Sequence, residues 1–120
     1  PDGTVSAAVA TVGYIDSNVI RNVSSSIATG LNQTLTLTGI QSAKFLVGVK
    51  DVNNDTYTAE YMVSSNNSTD VDFNEISVVG TMDFTEITVG ASASAGSITL
   101  TVTNGTLDNA TITIKAIALV

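Results

Sequence analysis

Two stretches near the C-terminus constrain the fold most: Ser97-Ile98-Thr99-Leu100-Thr101-Val102-Thr103 and Ala110-Thr111-Ile112-Thr113-Ile114-Lys115-Ala116. Side chains of a strand point alternately to opposite faces, so each stretch carries an apolar row on one side and a threonine row on the other. Threonine keeps β-propensity high on the outer row without adding charge. Such segments predict half-buried antiparallel sheet and bring no residue type suited to catalysis.

The same pattern recurs upstream. Phe45, Val47 and Val49 share one face of a strand, with Leu46, Gly48 and Lys50 opposite. In the next strand Tyr57, Ala59, Tyr61 and Val63 alternate with Thr56, Thr58, Glu60 and Met62, and the turn-forming run 51–55 joins the two as a hairpin. Turn signals at 30–32, 51–55, 64–70, Gly80, 90–96 and 104–105 separate candidate strands near 4–12, 33–39, 43–50, 56–64, 71–79, 84–89, 97–103 and 110–119. Turns at roughly 8–12-residue spacing are the signature of a sandwich or barrel. The expected fold is therefore all-β: one antiparallel β-sandwich, jelly-roll or immunoglobulin-like, of about eight strands. Residues 1–30 read as an N-terminal arm with a first strand, and 31–120 as the sandwich. Within 15–29, Ile15, Val19, Ile20, Val23 and Ile27 allow a short helix, while Ser24–Ser26 and the β-branched content favour an extended arm.

Composition narrows function. With 120 residues the chain can bury a core as one domain, but only 5% is aromatic and tryptophan is absent, so Val, Ile, Leu and Ala must fill it. Only 12% of residues are charged, about half the usual share. A hydroxyl-rich surface of this kind, protected only by a net charge of −7, suits packing against copies of itself or a scaffold. Arg21, Lys44, Lys50 and Lys115 are scattered against eleven acids, which argues against nucleic acid and anionic membrane as partners. No apolar run approaches the ~20 residues of a membrane span. Residues 5–12 are small and apolar but lack the basic lead of a secretory signal. The absence of cysteine removes disulfides.

Candidate chemistry is sparse. Without histidine or cysteine there is no Ser-His-Asp or Cys-His triad and none of the usual zinc ligand sets. Glu60, Glu75 and Glu86 could pair as glycosidase acids, but the aromatic supply for sugar platforms is Tyr14, Tyr57, Tyr61, Phe45, Phe73 and Phe84 alone. Asp51-Val52-Asn53-Asn54-Asp55 has the spacing of the first half of a calcium loop; Thr56 replaces the glycine and Met62 the bidentate glutamate, so it reads as a turn. Asp70, Asp72 and Asn74 would line one strand face, an incomplete shell for a hard cation. Lys44 and Lys115 are candidates for an isopeptide cross-link, although both fall on the expected outer face. Seven N-x-S/T sequons occur, at Asn22, Asn32, Asn54, Asn66, Asn67, Asn104 and Asn109. No catalytic, cofactor-binding or metal residue is singled out, no cofactor is expected, and the chain reads as a non-enzyme.

The run Ala43-Lys44-Phe45-Leu46-Val47-Gly48-Val49-Lys50-Asp51, followed by a polar turn and Tyr57-Thr58-Ala59-Glu60-Tyr61-Met62-Val63, resembles a segment of β-rich virion proteins of tailed, marine cyanophage-type phages. Gly80-Thr81-Met82-Asp83-Phe84 and the two closing strands are similar to later parts of that family. The likeness spans about residues 33–119 and departs at Asn66-Asn67-Ser68-Thr69, where the family carries a different turn. It implies a structural role at the capsid or tail surface: capsid decoration, head fibre or tail component. Small size favours a decoration or cement subunit whose partners are itself and the major capsid or other virion proteins. A cell-surface filament, pilin or S-layer-type module is the alternative, and a carbohydrate-binding sandwich a third.

Overall fold

A computed structural model describes residues 20–120. The candidate strand at 4–12 and the arm up to residue 19 lie outside the described residues. Eight strands follow: β1 (Ile20–Ile27), β2 (Asn32–Thr38), β3 (Ser42–Lys50), β4 (Thr56–Ser65), β5 (Val71–Gly80), β6 (Ile87–Ser94), β7 (Ser97–Asn104) and β8 (Ala110–Ala118). They form a five-stranded sheet, order β1-β8-β3-β4-β5, and a three-stranded sheet, order β2-β7-β6. Every pairing is antiparallel.

Of the two sandwich types expected, this strand order is the immunoglobulin one. Strands β2, β7 and β6 take the places of B, E and D, while β8, β3, β4 and β5 take those of F, C, C′ and C″ of a variable-type domain. β1 lies beside β8, where such a domain has its last strand. Residues 20–27 are thus an edge strand of the larger sheet and not helical.

The alternation explains the core. Phe45, Val47 and Val49 of β3, Ile98, Leu100 and Val102 of β7, and Ile112 and Ile114 of β8 are buried between the sheets. Each such side chain contributes about 1.5–3 kcal/mol by leaving water. The threonine row of β7 faces outward and is joined by its neighbours. Across the small sheet the outward rows are Asn32–Thr103–Thr88, Thr34–Thr101–Gly90, Thr36–Thr99–Ser92 and Thr38–Ser97–Ser94, with no charged residue among them.

One strand departs from the sequence expectation. The candidate at 84–89 and the turn at 90–96 become a short 3-10 helix, Phe84–Glu86, and β6 running through Ser94. Asp83 delays the strand by accepting hydrogen bonds from the backbone N–H and the hydroxyl of Thr85. Gly90, Ala91, Ser92 and Ala93 have weak strand propensity, but each pairs in register with β7. The turn shrinks to Ala95-Gly96, with Gly96 at φ 83°.

Candidate functional site

The larger sheet is wider than its cover, and β5 shows the consequence. The register along β4 slips between Glu60 and Tyr61, so Ile76 is an extra residue in β5. This bulge keeps Phe73 and Glu75 on the inner face, opposite Val63 and Tyr61, and returns Val78 to that face opposite Ala59. Sheet β2-β7-β6 does not cover this ground, and Phe73 stays 38% exposed.

A groove of about 420 Å³ runs between β5 and β6 there, lined by Tyr57, Tyr61, Phe73, Glu75, Phe84, Thr88 and apolar residues including Val78 and Ile87. Tyr57 and Tyr61 are on the same face of β4, separated by Ala59, whose small side chain leaves room for the rings to lean together. Their hydroxyls meet at 2.6 Å, and Tyr61 donates to Glu75 Oε1 at 3.2 Å. Tyr61 has one proton, so Tyr57 donates to Tyr61, and the chain of bonds runs outward to the carboxylate. Each tyrosine packs on a phenylalanine at the rim: Tyr57 meets Phe84 at 5.7 Å and 82°, Tyr61 meets Phe73 at 6.3 Å and 43°. The capped 3-10 helix places Phe84. Burial holds both phenols above the ordinary tyrosine range; for Tyr61 the bond to Tyr57 and the nearby Glu75 charge add to the effect.

Four of the six aromatics of the chain therefore line one groove. In the sequence they stood as a scattered, meagre supply. Only the tyrosine pair had a signal, the i, i+4 spacing on one strand face. Phe73 depends on the bulge and Phe84 on the cap, and neither is written in the alternation.

The other sequence candidates separate. Asp51 Oδ1 accepts from the backbone N–H groups of Asn53 and Asp55, so the 51–55 run is a self-capped turn with Asn54 at φ 66°. Asp51 and Asp55 share a cleft with Asp83, Glu86 and Asp108 at the loop end of the sandwich. Among the described residues no group of three or more His, Cys, Asp or Glu is placed to hold a metal ion. Thr85 holds the Asp83 carboxyl below its ordinary range through its hydroxyl and its N–H. Asp72 and Asn74 share the outer face of β5, whereas Asp70 sits before the strand and accepts from Asn66 Nδ2. Glu60 faces outward and pairs with Lys44 at 2.8 Å; Lys115 is exposed on the same outer face. No described helix is long and apolar enough to cross a membrane.

Six of the seven sequon asparagines are exposed, but Asn104 is fully buried. Its amide donates to the carbonyls of Ile27 and Asp108, and its oxygen accepts from the backbone N–H and hydroxyl of Thr106. That asparagine is structural, joining the end of β1 to the β7–β8 loop.

No family model matches the chain, and no curated protein matches it. Among solved structures it is similar to a tailspike protein, gp49 from Acinetobacter baumannii bacteriophage Fri1, described as a capsular polysaccharide depolymerase, with 20% identity and a TM-score of 0.45. The match covers 82% of this chain and 17% of the tailspike. The neighbour is a phage protein but not one of cyanophage type, and its activity is a property of a much longer chain.

Proposed function

We propose that this chain is a non-enzymatic structural subunit of a bacteriophage virion, a decoration or cement protein that sits on the capsid or tail surface and self-associates. The observation that carries this reading is the uncharged outer face of β2-β7-β6. Covering a surface charge costs several kcal/mol unless a partner neutralises it, whereas hydroxyls need only hydrogen bonds. Several already have them: Thr36 and Thr99 meet at 2.8 Å, Thr103 donates to Asn32 at 2.7 Å, and Ser94 and Ser97 meet at 3.0 Å. A flat partner covering such a face has only to supply hydrogen bonds to the hydroxyls that remain. The flanking edges, β2 and β6, carry no charged residue and no proline, the usual guards against strand addition. The resemblance of the β3, β4, β7 and β8 strand motifs to phage virion proteins supports a virion location.

Replacing Thr99 and Thr101 together by lysine puts two charges at the centre of that face. The expected result is an unchanged circular dichroism spectrum, with self-association lost in sedimentation velocity and binding to the particle lost in co-sedimentation. A doubly substituted protein that still associates and still binds rules this face out as the contact. Deleting residues 1–12 measures what the arm adds to the same two readouts.

A further inference from the structure

We infer that the groove between β5 and β6 binds a neutral saccharide, a mono- or disaccharide unit with hydroxyl donors on its edge and an apolar ring face. The inference stands on the groove alone and goes beyond the structural role. Its volume of about 420 Å³ lies within the ~300–1,000 Å³ span of small-ligand sites. Its chemistry selects the ligand. Tyr61 spends its proton on Glu75, and Tyr57 spends its proton on Tyr61. What remains unfilled is acceptor capacity on Tyr57 Oη and on the second oxygen of Glu75. A ligand must therefore bring donors.

No basic side chain lines the groove, and Glu75 repels an anion, so uronic acids and phosphates are disfavoured. The two tyrosines are 3% and 4% exposed, so the accessible aromatic surface belongs to Phe73 and Phe84 at the rim. Two separate phenylalanines suit the C–H face of a sugar ring better than they enclose a cation, which needs ring faces around it.

The test is titration of the ¹⁵N-labelled full chain with neutral trisaccharides of glucose, galactose and N-acetylglucosamine, and in parallel with trigalacturonate, choline and a peptide of residues 4–15. The expected result is a saturable shift of the Phe73, Glu75 and Thr88 amides with at least one neutral saccharide and with none of the other probes. Phe84→Ala should weaken that binding by roughly tenfold, and Thr36→Ala, on β2 at the far edge of the small sheet, should leave it unchanged. Silence with every neutral saccharide overturns the inference. So does equal binding of trigalacturonate or choline, and so does the peptide alone occupying the groove, which would make it a seat for the arm. The Thr99/Thr101 lysine variant leaves this groove intact, so the two readings fail independently.

Discussion

Replacing Asn104 should cost more than any other single polar change in the described fold. In Asn104→Ala four hydrogen bonds disappear together. The Thr106 hydroxyl, freed from Asn104 Oδ1, gives its one proton to the Asp108 carbonyl 2.7 Å away, so that carbonyl is not stranded. The Ile27 carbonyl and the Thr106 N–H lose a buried partner, at ~1–3 kcal/mol each. The expected loss is about 3 kcal/mol, or about 10 °C or more in midpoint temperature for a domain of this size. Asn104→Asp keeps the shape but turns an oxygen toward the two carbonyls that the amide served. Burial and those carbonyl dipoles raise the folded-state carboxyl pKa above its unfolded value of ~3.9. Its neutral form is then favoured in the fold, so the deficit is smallest below ~pH 4 and grows as pH rises. Urea unfolding followed by far-ultraviolet circular dichroism, with the parent protein run at each pH, measures both effects. An alanine deficit under ~1 kcal/mol, or an aspartate deficit independent of pH, refutes the accounting.

Both groove tyrosines have raised pKa values, so their share of stability is intact below ~pH 10 and is lost as pH rises through the folded values, at up to ~1.4 kcal/mol per pH unit for each. Urea midpoints that stay level from about pH 9 to about pH 11 would contradict this, and Tyr61→Phe should flatten part of the slope. Gly105→Ala would place a methyl 2.6 Å from the Glu86 carbonyl oxygen, and a loss of ~1–3 kcal/mol is expected by thermal melting; a neutral change would mean the turn yields freely. Expression in an N-glycosylating host, read by peptide mapping, should leave Asn104 bare even where exposed sequons are occupied; a glycan on Asn104 would contradict its burial.

Alternation made β3, β4, β7 and β8 legible because each buries one face and exposes the other. It failed at β6, where Gly90, Ala91 and Ser92 look like a loop and are held as strand by pairing with Leu100 and its neighbours. It was silent on β1, whose inward face buries only Ile27 among its described side chains. The groove was the least legible part. Its four aromatics come from β4, β5 and the 3-10 helix, and a one-residue bulge decides which way Phe73 and Glu75 point. The Asn104 sequon misled in the opposite sense: loop composition suggested a surface site, and tertiary packing closed it.

The position of β1 also determines how the domain bears load. Ile20 pairs with Ile117, so the start of the described chain and its last strand end at the same pole. Tension between those points would peel β1 from β8 one hydrogen bond at a time, rather than shearing all eight paired positions together. Loaded between those two points, the β1–β8 pair is mechanically weak. The 51–55 and 104–109 loops lie at the opposite pole.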